Sequence, residues 1–329
     1  KAADDLPMLG YYGTGRLWAQ KKLTSAHEKS DSEASSRTFA YRDCLDPASS
    51  YKHFAQWYTR VFKSLRAAQI RNLEKRLPLD ADIPYGLIAP IKAVQLATDE
   101  ILGHHTGWKE LEYSEEHEEL VLNHEQYGLL KVSQLSDGIR NMLALVGDIA
   151  YRCYKLNAHQ GEAAPRRTHG IVLIDEVDMH LHPGWQQTVL TDLAAAFPNL
   201  QFIVTTHSPQ VLTSVDSACI RLLRQEADPE TGKQHTALDL VSLQTRGVAS
   251  SDLLAQIMGV NPIPPVEEAR WYSDYTAKIE NGAHEDAEGL SLRQKLETHF
   301  GPRHPLMLDA ERLIRFQTFK LRKNSARQV

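Results

Sequence analysis

The sequence predicts an α/β protein built on a mostly parallel β-sheet, with a helical insertion, antiparallel strands and a small helical C-terminal extension. Two uninterrupted apolar runs, 171–174 and 202–204, are typical of strands buried on both faces of a parallel sheet. Apolar residues at three- and four-residue spacing, over 51–77 and from 139 onward, predict amphipathic helices. Alternating apolar and polar residues over 108–132 predict half-exposed antiparallel strands.

Length and composition set the first limits on function. A chain of 329 residues can bury a sizeable core in one large or two ordinary domains. Its net charge of −5 argues neither for nor against a nucleic-acid partner. The three cysteines, Cys44, Cys153 and Cys219, are far apart and form no C-x-x-C pair, as in proteins with reduced cytosolic thiols. No apolar run is long enough for a membrane span and no signal peptide is visible, so we expect a cytoplasmic protein with no membrane partner.

The N-terminal third is predicted to contain one strand and two long helices. Leu6–Tyr12 is predicted as a strand of the sheet. Segment 20–50 is rich in serine and charge and is predicted as a loop or linker. A helix over 51–77 follows. A second is predicted from Pro90 to Leu102, with a buried face formed by Ile91, Val94, Leu96 and Ile101.

The first long helix carries a basic strip. Between residues 60 and 76 there are six Lys or Arg residues and one acid. Such a strip can bind nucleic-acid phosphates. The commoner alternative is a solvated face, or a face packed on an acidic neighbour.

Three antiparallel strands, over 108–113, 119–123 and 129–132, lead into a helix that begins near Ser136. Ser136 and Gly138 therefore lie at a helix N-terminus. Free backbone N–H groups, a serine hydroxyl and a glycine that permits close approach together provide an anion site there.

Polar residues follow each of the two apolar strands. Asp175 and Glu176 end the first, and His207 follows the second. Ligands gather outside the carboxyl ends of the strands in an open α/β sheet. Asp175 could then hold Mg²⁺ and Glu176 could polarise an attacking water, while His207 could hydrogen-bond a terminal phosphate or that water. The alternatives are that the acids only cap the next helix, and that His207 is an ordinary polar residue.

Residues 262–329 are predicted as a separate helical extension after a proline-rich break. The apolar residues that mark its three short helices are Trp271, Tyr275, Ile279, Leu290, Leu292, Leu296, Leu313, Ile314 and Phe316. Helices of this size are expected to lie on the rest of the protein or on a partner, because they are too small for a large core of their own. Residues 312–327 contain six Lys or Arg and no acid, which suits an acidic partner, a nucleic acid or a frayed basic terminus.

The order of these motifs resembles that of ATP-binding-cassette (ABC) ATPases. Leu135–Gly138 resembles their signature motif, Ile171–Glu176 their Walker B motif, Asp178 their D-loop and His207 their switch histidine. The segment from Asp175 to Pro183 is similar to the corresponding segment of the RecF-, SMC- and OLD-like branch of non-transporter ATPases. The resemblance implies an ABC-type ATPase domain over 1–261, with a helical insertion at about 51–103. It makes a transporter subunit the disfavoured alternative.

In the family that the sequence resembles, two protomers enclose ATP between them. The resemblance implies ATP and Mg²⁺ as cofactors and a homodimer or higher homo-oligomer. Asp175 would be the metal ligand, Glu176 and His207 the catalytic residues, and Asp178 part of the nucleotide site. Ser136 and Gly138 would act on the nucleotide of the partner protomer. The pair His180 and His182, which a zinc site could also explain, belongs to the D-loop in this interpretation.

No G-x-x-x-x-G-K-[ST] phosphate-binding loop occurs in the sequence. The glycine cluster at 10–16 has no lysine or hydroxyl residue in register for one. We therefore expect the Walker A motif upstream of residue 1. The rival interpretation is a degenerate ATPase that binds nucleotide weakly or not at all.

No nuclease-like constellation of acids and histidines follows residue 215. An ATPase with only a helical tail resembles the ATPase subunit of Septu-type anti-phage systems, which some retrons also carry. The resemblance implies a separate HNH-type nuclease subunit and, in retrons, a reverse transcriptase with its RNA–DNA product. The alternative is a RecF- or SMC-like DNA-repair ATPase that clamps duplex DNA without an effector nuclease.

Overall fold

The chain forms two compact units, Lys1–Leu253 and Leu254–Val329. The computed structural model describes residues 4–16, 36–46, 50–228 and 231–325. Most of the predicted loop at 20–50 and the end of the basic tail lie outside the described residues. Over the rest of the chain the predicted α/β class is confirmed, with a parallel sheet, separate antiparallel sheets and a helical C-terminal region.

The parallel sheet has three strands in the order β1-β5-β6: β1 (Met8–Tyr12), β5 (Gly170–Ile174) and β6 (Leu200–Val204). All three run in the same direction, and their last residues lie side by side in the register Tyr12–Ile174–Val204. The residues that follow each strand therefore emerge at one edge of the sheet.

Only one face of this sheet is buried by the described residues. Val172 and Ile174 of β5 are buried, but Ile171 and Leu173 are 41% and 37% exposed. The prediction that this strand is buried on both faces is therefore wrong here. The helix α4 (Asp137–Leu156) packs against the buried face, and no described element of the first unit covers the other.

The helical insertion comprises α1 (Ser50–Glu74) and α2 (Tyr85–Thr98), followed by a π-helical turn at Asp99–Gly103 and the short α3 (His104–Thr106). The helix α2 begins five residues before Pro90 and passes through it, although a proline costs one backbone hydrogen bond. Buried Ala89 and Ala93 pack there with Tyr154 and Ala164. Leu96, predicted to be buried, is 55% exposed.

The three predicted antiparallel strands are confirmed and form one sheet in chain order, with β2 at Lys109–Ser114, β3 at Glu119–His124 and β4 at Gly128–Lys131. The remaining elements of the first unit are α5 (Ala164–Arg167), α6 (Pro183–Gln186), α7 (Val189–Ala196), α8 (Pro209–Leu212) and the hairpin of β7 (Arg221–Ala227) and β8 (Gln234–Leu240). A further helix, α9 (Ser250–Gln256), spans the boundary between the two units at residue 253. Among the described helices, none is long and apolar enough to cross a membrane.

Part of the segment that was predicted as a loop is ordered against the core. Arg37–Tyr41 forms a 3₁₀ helix in which Ala40 is buried. The carbonyl oxygen of Ala40 accepts a hydrogen bond of 2.5 Å from Nη1 of Arg152 on α4. The low apolar content did not reveal this contact because it is made by the backbone.

The second unit consists of α10 (Glu267–Glu280), α11 (Ala287–Phe300) and α12 (Pro305–Ser325). It has a small core of its own, formed by Tyr275, Ile279, Leu292, Leu296, Met307 and Ala310. The sequence predicted no large core for these helices, and it did not predict this small one. Two of the apolar residues that mark these helices, Leu290 and Phe316, are 55% and 63% exposed.

Candidate nucleotide-binding site

The aligned strand ends bring the predicted acids and the predicted histidine to one edge of the parallel sheet. Asp175 follows β5 directly, and its N–H donates to the carbonyl oxygen of Tyr12 at 2.8 Å. Thr205 follows β6, and its N–H donates to the carbonyl oxygen of Ile174 at 3.0 Å. The pairing of the strands thus continues for one residue beyond their ends, and it fixes the backbone from which the polar side chains project.

Thr205 links the two acids of the Walker B-like segment. Its hydroxyl donates to Oδ1 of Asp175 at 2.5 Å. The hydroxyl oxygen of Thr205 in turn accepts the N–H of Glu176 at 2.9 Å. Its carbonyl oxygen accepts the N–H of Val177 at 3.1 Å. The residue that follows β6 therefore contacts three consecutive residues after β5.

Thr206 makes the corresponding contact with the next acid. Its hydroxyl donates to Oδ1 of Asp178 at 2.5 Å and accepts the N–H of Ser208 at 3.0 Å. Gln186 adds a second connection, because its amide donates to the carbonyl oxygen of Leu181 and accepts from the Ser208 hydroxyl at 2.7 Å. The segments after β5 and after β6 are thus tied together by side chains.

Two residues of the segment after β5 have a left-handed backbone. The φ angle is 48° at Glu176 and 63° at His180. For a residue with a Cβ atom this conformation costs about 1–2 kcal/mol. Such conformations persist where surrounding contacts over-determine them, and they are enriched at functional sites.

The start of α4 meets the same segment from the other side. Ser136 caps the helix, accepting the N–H of Ile139 at 3.5 Å, and its side chain is exposed. Gly138 is buried, and a Cβ built on it would lie 2.5 Å from the carbonyl oxygen of His180. The structure therefore brings the signature-like helix start against the D-loop-like segment within one chain, an intrachain role for Gly138 that the sequence did not indicate.

His207 is exposed at the same edge, two residues beyond Thr205. Among the residues that the structure describes, none is hydrogen-bonded to its imidazole ring. An exposed ring in this position can accept a hydrogen bond from, or donate one to, a bound ligand.

Tyr12, Asp148 and Arg152 form a buried ionic network next to the end of β1. Oδ2 of Asp148 on α4 accepts hydrogen bonds from the Tyr12 hydroxyl at 2.9 Å and from Nε of Arg152 at 2.6 Å. Burial, and then the Asp148 charge, raises the pKa of Tyr12 well above its ordinary value. Burial alone would lower the pKa of Arg152, but the attraction of Asp148 outweighs it, so that Arg152 stays charged. The network links α4 to the end of β1.

The acids suit a magnesium ion that is bound together with phosphates. In the described part of the chain, no cluster of three or more His, Cys, Asp or Glu residues could hold a metal ion alone. Mg²⁺ does not need one, because it commonly takes one or two carboxylates and fills its shell with water and phosphate oxygens. Asp175, whose carboxylate accepts a hydrogen bond from the Thr205 hydroxyl, has the donor chemistry of such a ligand.

Thr205, Thr206 and Gln186 were not predicted as site residues. The only sequence signal for the threonines was two hydroxyl residues between an apolar strand and a histidine. Gln186 carried no signal, because its contacts depend on how the chain turns after Pro183. All three act by holding other residues rather than by a recognisable motif.

The family comparison agrees with this geometry. Residues 21–213 match the family described as "AAA domain, putative AbiEii toxin, Type IV TA system". The match covers more than half of the chain and includes every predicted site residue. The chain therefore belongs to this family of AAA-type ATPase domains.

Parts of the chain are similar to individual ATPases and to a Septu protein. The chain is 39% identical over 174 residues to a retron Ec83 probable ATPase of Escherichia coli, a match that covers 53% of this chain and 30% of the relative. It is 48% identical over 96 residues to a retron Vc95 probable ATPase of Vibrio cholerae, which covers 29% of this chain and 18% of the relative. It is 26% identical over 185 residues to the Septu protein PtuA of Bacillus thuringiensis, which covers 54% and 44%. Each match spans less than half the length of the relative.

Proposed function

We propose that this chain is the ATP-binding and ATP-hydrolysing part of an ATPase subunit in an anti-phage defence complex. The observation that carries the proposal is the joining of Asp175 and Asp178 to the β6 end through Thr205 and Thr206. Ligands bind at the carboxyl edge of a parallel sheet, and acids anchored there suit the Mg²⁺ ion that accompanies the phosphates of a nucleotide. The family match and the probable ATPases among the relatives support the same class.

Each site residue has a separate task in this proposal. Asp175 holds the metal ion, which neutralises charge on the phosphates when it is bound. Glu176 orients and polarises the attacking water. His207 hydrogen-bonds the terminal phosphate or that water, and the exposed ring has the access that this role requires.

Nucleotide binding is proposed to bring two protomers together. Ser136 and Gly138 lie at a helix start whose free N–H groups favour an anion. The exposed Ser136 can reach a phosphate on another protomer, whereas buried Gly138 allows the close approach that shapes this corner. Asp178 shares the interface as the D-loop residue.

The partner proposed for this ATPase is a separate HNH-type nuclease, which ATP-dependent dimerisation restrains or releases. A reverse transcriptase with its RNA–DNA product would join the complex in a retron. The names of the relatives, which place them in retrons and in Septu systems, support this proposal. The small helical unit, with exposed Leu290 and Phe316, is a candidate surface for docking a partner.

Glu176→Gln in the full-length protein tests the proposal directly. We expect the variant to bind ATP, accumulate as a nucleotide-bound dimer and lose turnover by at least a hundredfold. The matched control is Glu285→Gln, which removes an exposed acid of the second unit. Turnover by Glu176→Gln at the control rate would remove Glu176 from the proposed role.

The defence role is tested with the native operon. Phage plating efficiency should rise to that of unprotected cells with Glu176→Gln and stay low with Glu285→Gln. A nuclease should co-purify with the tagged ATPase. ATP-dependent clamping of closed circular DNA by the ATPase alone, without a nuclease and without protection, would instead support a DNA-repair ATPase.

A further inference from the structure

Thr205 occupies a position that the assigned motifs do not include. It follows β6 directly and lies between the two acids of the neighbouring strand end, although its own side chain is exposed. Its single hydroxyl proton goes to Asp175 and its oxygen accepts the N–H of Glu176. Both hydrogen-bonding functions of this hydroxyl are therefore directed at proposed site residues.

The backbone of Glu176 depends on the same residue. Its left-handed φ of 48° needs external support, since no glycine is present to make it unstrained. The N–H of Glu176 goes to the Thr205 hydroxyl, and the N–H of Val177 goes to the Thr205 carbonyl oxygen. The peptide groups on both sides of Glu176 are thus held by one residue.

We propose that Thr205 is a positioning residue that sets the orientation of the Asp175 carboxylate toward the metal ion and of Glu176 toward the attacking water. This role rests on the proposed ATPase function. A hydrogen bond to one carboxylate oxygen fixes the plane of the group, and partners of metal ligands commonly act in this way. His207 follows two residues later and is exposed at the same edge of the sheet.

Because the Thr205 side chain is exposed, a positioning role can be distinguished experimentally from a role in stability. If its hydroxyl is removed, water can satisfy the Glu176 N–H and the Asp175 oxygen, so that stability should change little. Water does not fix the orientation of the Asp175 carboxylate, so the affinity for the metal ion and the rate of ATP turnover should still fall. A large loss of metal affinity without a large loss of stability is therefore the signature of positioning.

The test compares Thr205→Val, which keeps the shape and removes the hydroxyl, with Thr205→Ser, which keeps the hydroxyl. The matched control is Thr298→Val, where an exposed threonine hydroxyl bonds only to its own helix. Binding of Mn²⁺ to the full-length protein with a non-hydrolysable ATP analogue is measured by electron paramagnetic resonance, and the Mg²⁺ dependence of ATP turnover is measured in parallel.

We expect Thr205→Val to weaken Mn²⁺ binding and to lower turnover by about 10–100-fold, the usual effect of losing a partner of a metal ligand. Thr205→Ser should recover most of both quantities, and Thr298→Val should match the unaltered protein. The melting temperatures of all variants should be similar. Normal Mn²⁺ affinity in Thr205→Val, or equal defects in the valine and serine variants, would overturn the proposal.

The Glu176→Gln variant keeps the two proposals apart. If Glu176→Gln abolishes turnover while Thr205→Val behaves normally, the ATPase function stands and only the positioning role is wrong. If the unaltered full-length protein neither binds nor hydrolyses ATP, the proposed function is wrong. If Glu176→Gln retains ATP turnover, Glu176 is not the catalytic residue. The Mn²⁺ titration of the Thr205 variants still decides the positioning role in that case, because it does not depend on hydrolysis.

Discussion

Gly138 at the start of α4 lies directly against the carbonyl oxygen of His180, so close that a Cβ atom would be 2.5 Å from that oxygen. Both partners of the contact are backbone, and His180 itself has a left-handed conformation. Neither side can move aside as a flexible side chain could. The helix start and the segment after β5 therefore fit together only with glycine at this position.

We predict that Gly138→Ala destabilises the first unit by about 1–3 kcal/mol, as overpacking of a close contact usually does. The segment from Asp178 to His180 must shift to make room, so ATP turnover should also fall. Chemical denaturation and a turnover assay in the full-length protein measure the two effects.

Gly86→Ala is the matched control for this prediction. It lies in the first turn of α2, and a Cβ there would meet no atom within 4 Å. We expect a gain of about 0.5–1 kcal/mol, because alanine favours helix. Equal effects of the two substitutions would contradict the role given to the Gly138–His180 contact.

The sequence predicted the strands and the acids because each pattern is local. Uninterrupted apolar runs located β5 and β6, and the parallel pairing brought the residues after them to one edge. The sequence did not predict that Ile171 and Leu173 would be exposed, since periodicity reports the apolar character of a strand and not the layers that cover it. Contacts such as Thr205 with Asp175 span 30 positions and leave no local pattern.

The same limit applies to the second unit. Spacing located its three helices, but it could not separate buried Leu296 from exposed Leu290 within one of them. Which side of a short helix is buried depends on two neighbouring helices, whose directions are set by turns. The small core of this unit was not predicted from the sequence for this reason.

Leu296 and Leu290 therefore provide a matched pair within α11. Leu296 is fully buried, so Leu296→Ala should destabilise the second unit by about 2–5 kcal/mol. Leu290→Ala removes the same atoms from an exposed position and should change stability by less than about 0.5 kcal/mol. Limited proteolysis, followed by mass spectrometry of cleavage sites within 254–325, measures the difference. Similar cleavage of both variants would contradict the assigned core.

Cysteine reactivity tests the packing of α4. Burial raises the pKa of Cys153 to about 12, whereas Cys219 is exposed. At pH 8 we expect iodoacetamide to modify Cys219 in the native protein and to leave Cys153 unmodified until denaturant is added. Mass spectrometry of tryptic peptides gives both extents. Rapid native labelling of Cys153 would show that α4 is not packed as described.

The same thiol makes a prediction about pH. The thiol of Cys153 ionises near pH 9 when unfolded but near pH 12 when folded. Between these values the folded protein binds more protons, so this group makes the free energy of unfolding fall as pH rises. Cys153→Ala should reduce the slope of that fall above pH 9. The free energy of unfolding is measured by chemical denaturation at several values between pH 8 and pH 10. The same dependence on pH in Cys153→Ala and in the unaltered protein would contradict the raised pKa of Cys153.

The network of Tyr12, Asp148 and Arg152 gives the strongest expected effect on stability. Asp148 is fully buried and Arg152 is 2% exposed. Asp148→Asn leaves the guanidinium group buried without its counter-charge, which typically costs about 3–5 kcal/mol. Because Tyr12 ends β1, the loss should also loosen the edge that carries Asp175. Chemical denaturation of the first unit measures the cost, and Glu100→Gln, which breaks the exposed pair of Glu100 with Arg166, should cost less than about 1 kcal/mol.

A double variant shows whether the cost comes from the unpaired charge. Asp148→Leu combined with Arg152→Met removes both charges and fills similar volume. It should be more stable than Asp148→Asn, because replacing both partners of a buried pair by apolar groups is often neutral. Arg152 also donates to the carbonyl oxygens of Ala40 and Arg42, so recovery should be incomplete. A double variant that is no more stable than the single one would mean that these backbone contacts, rather than the ion pair, hold α4 in place.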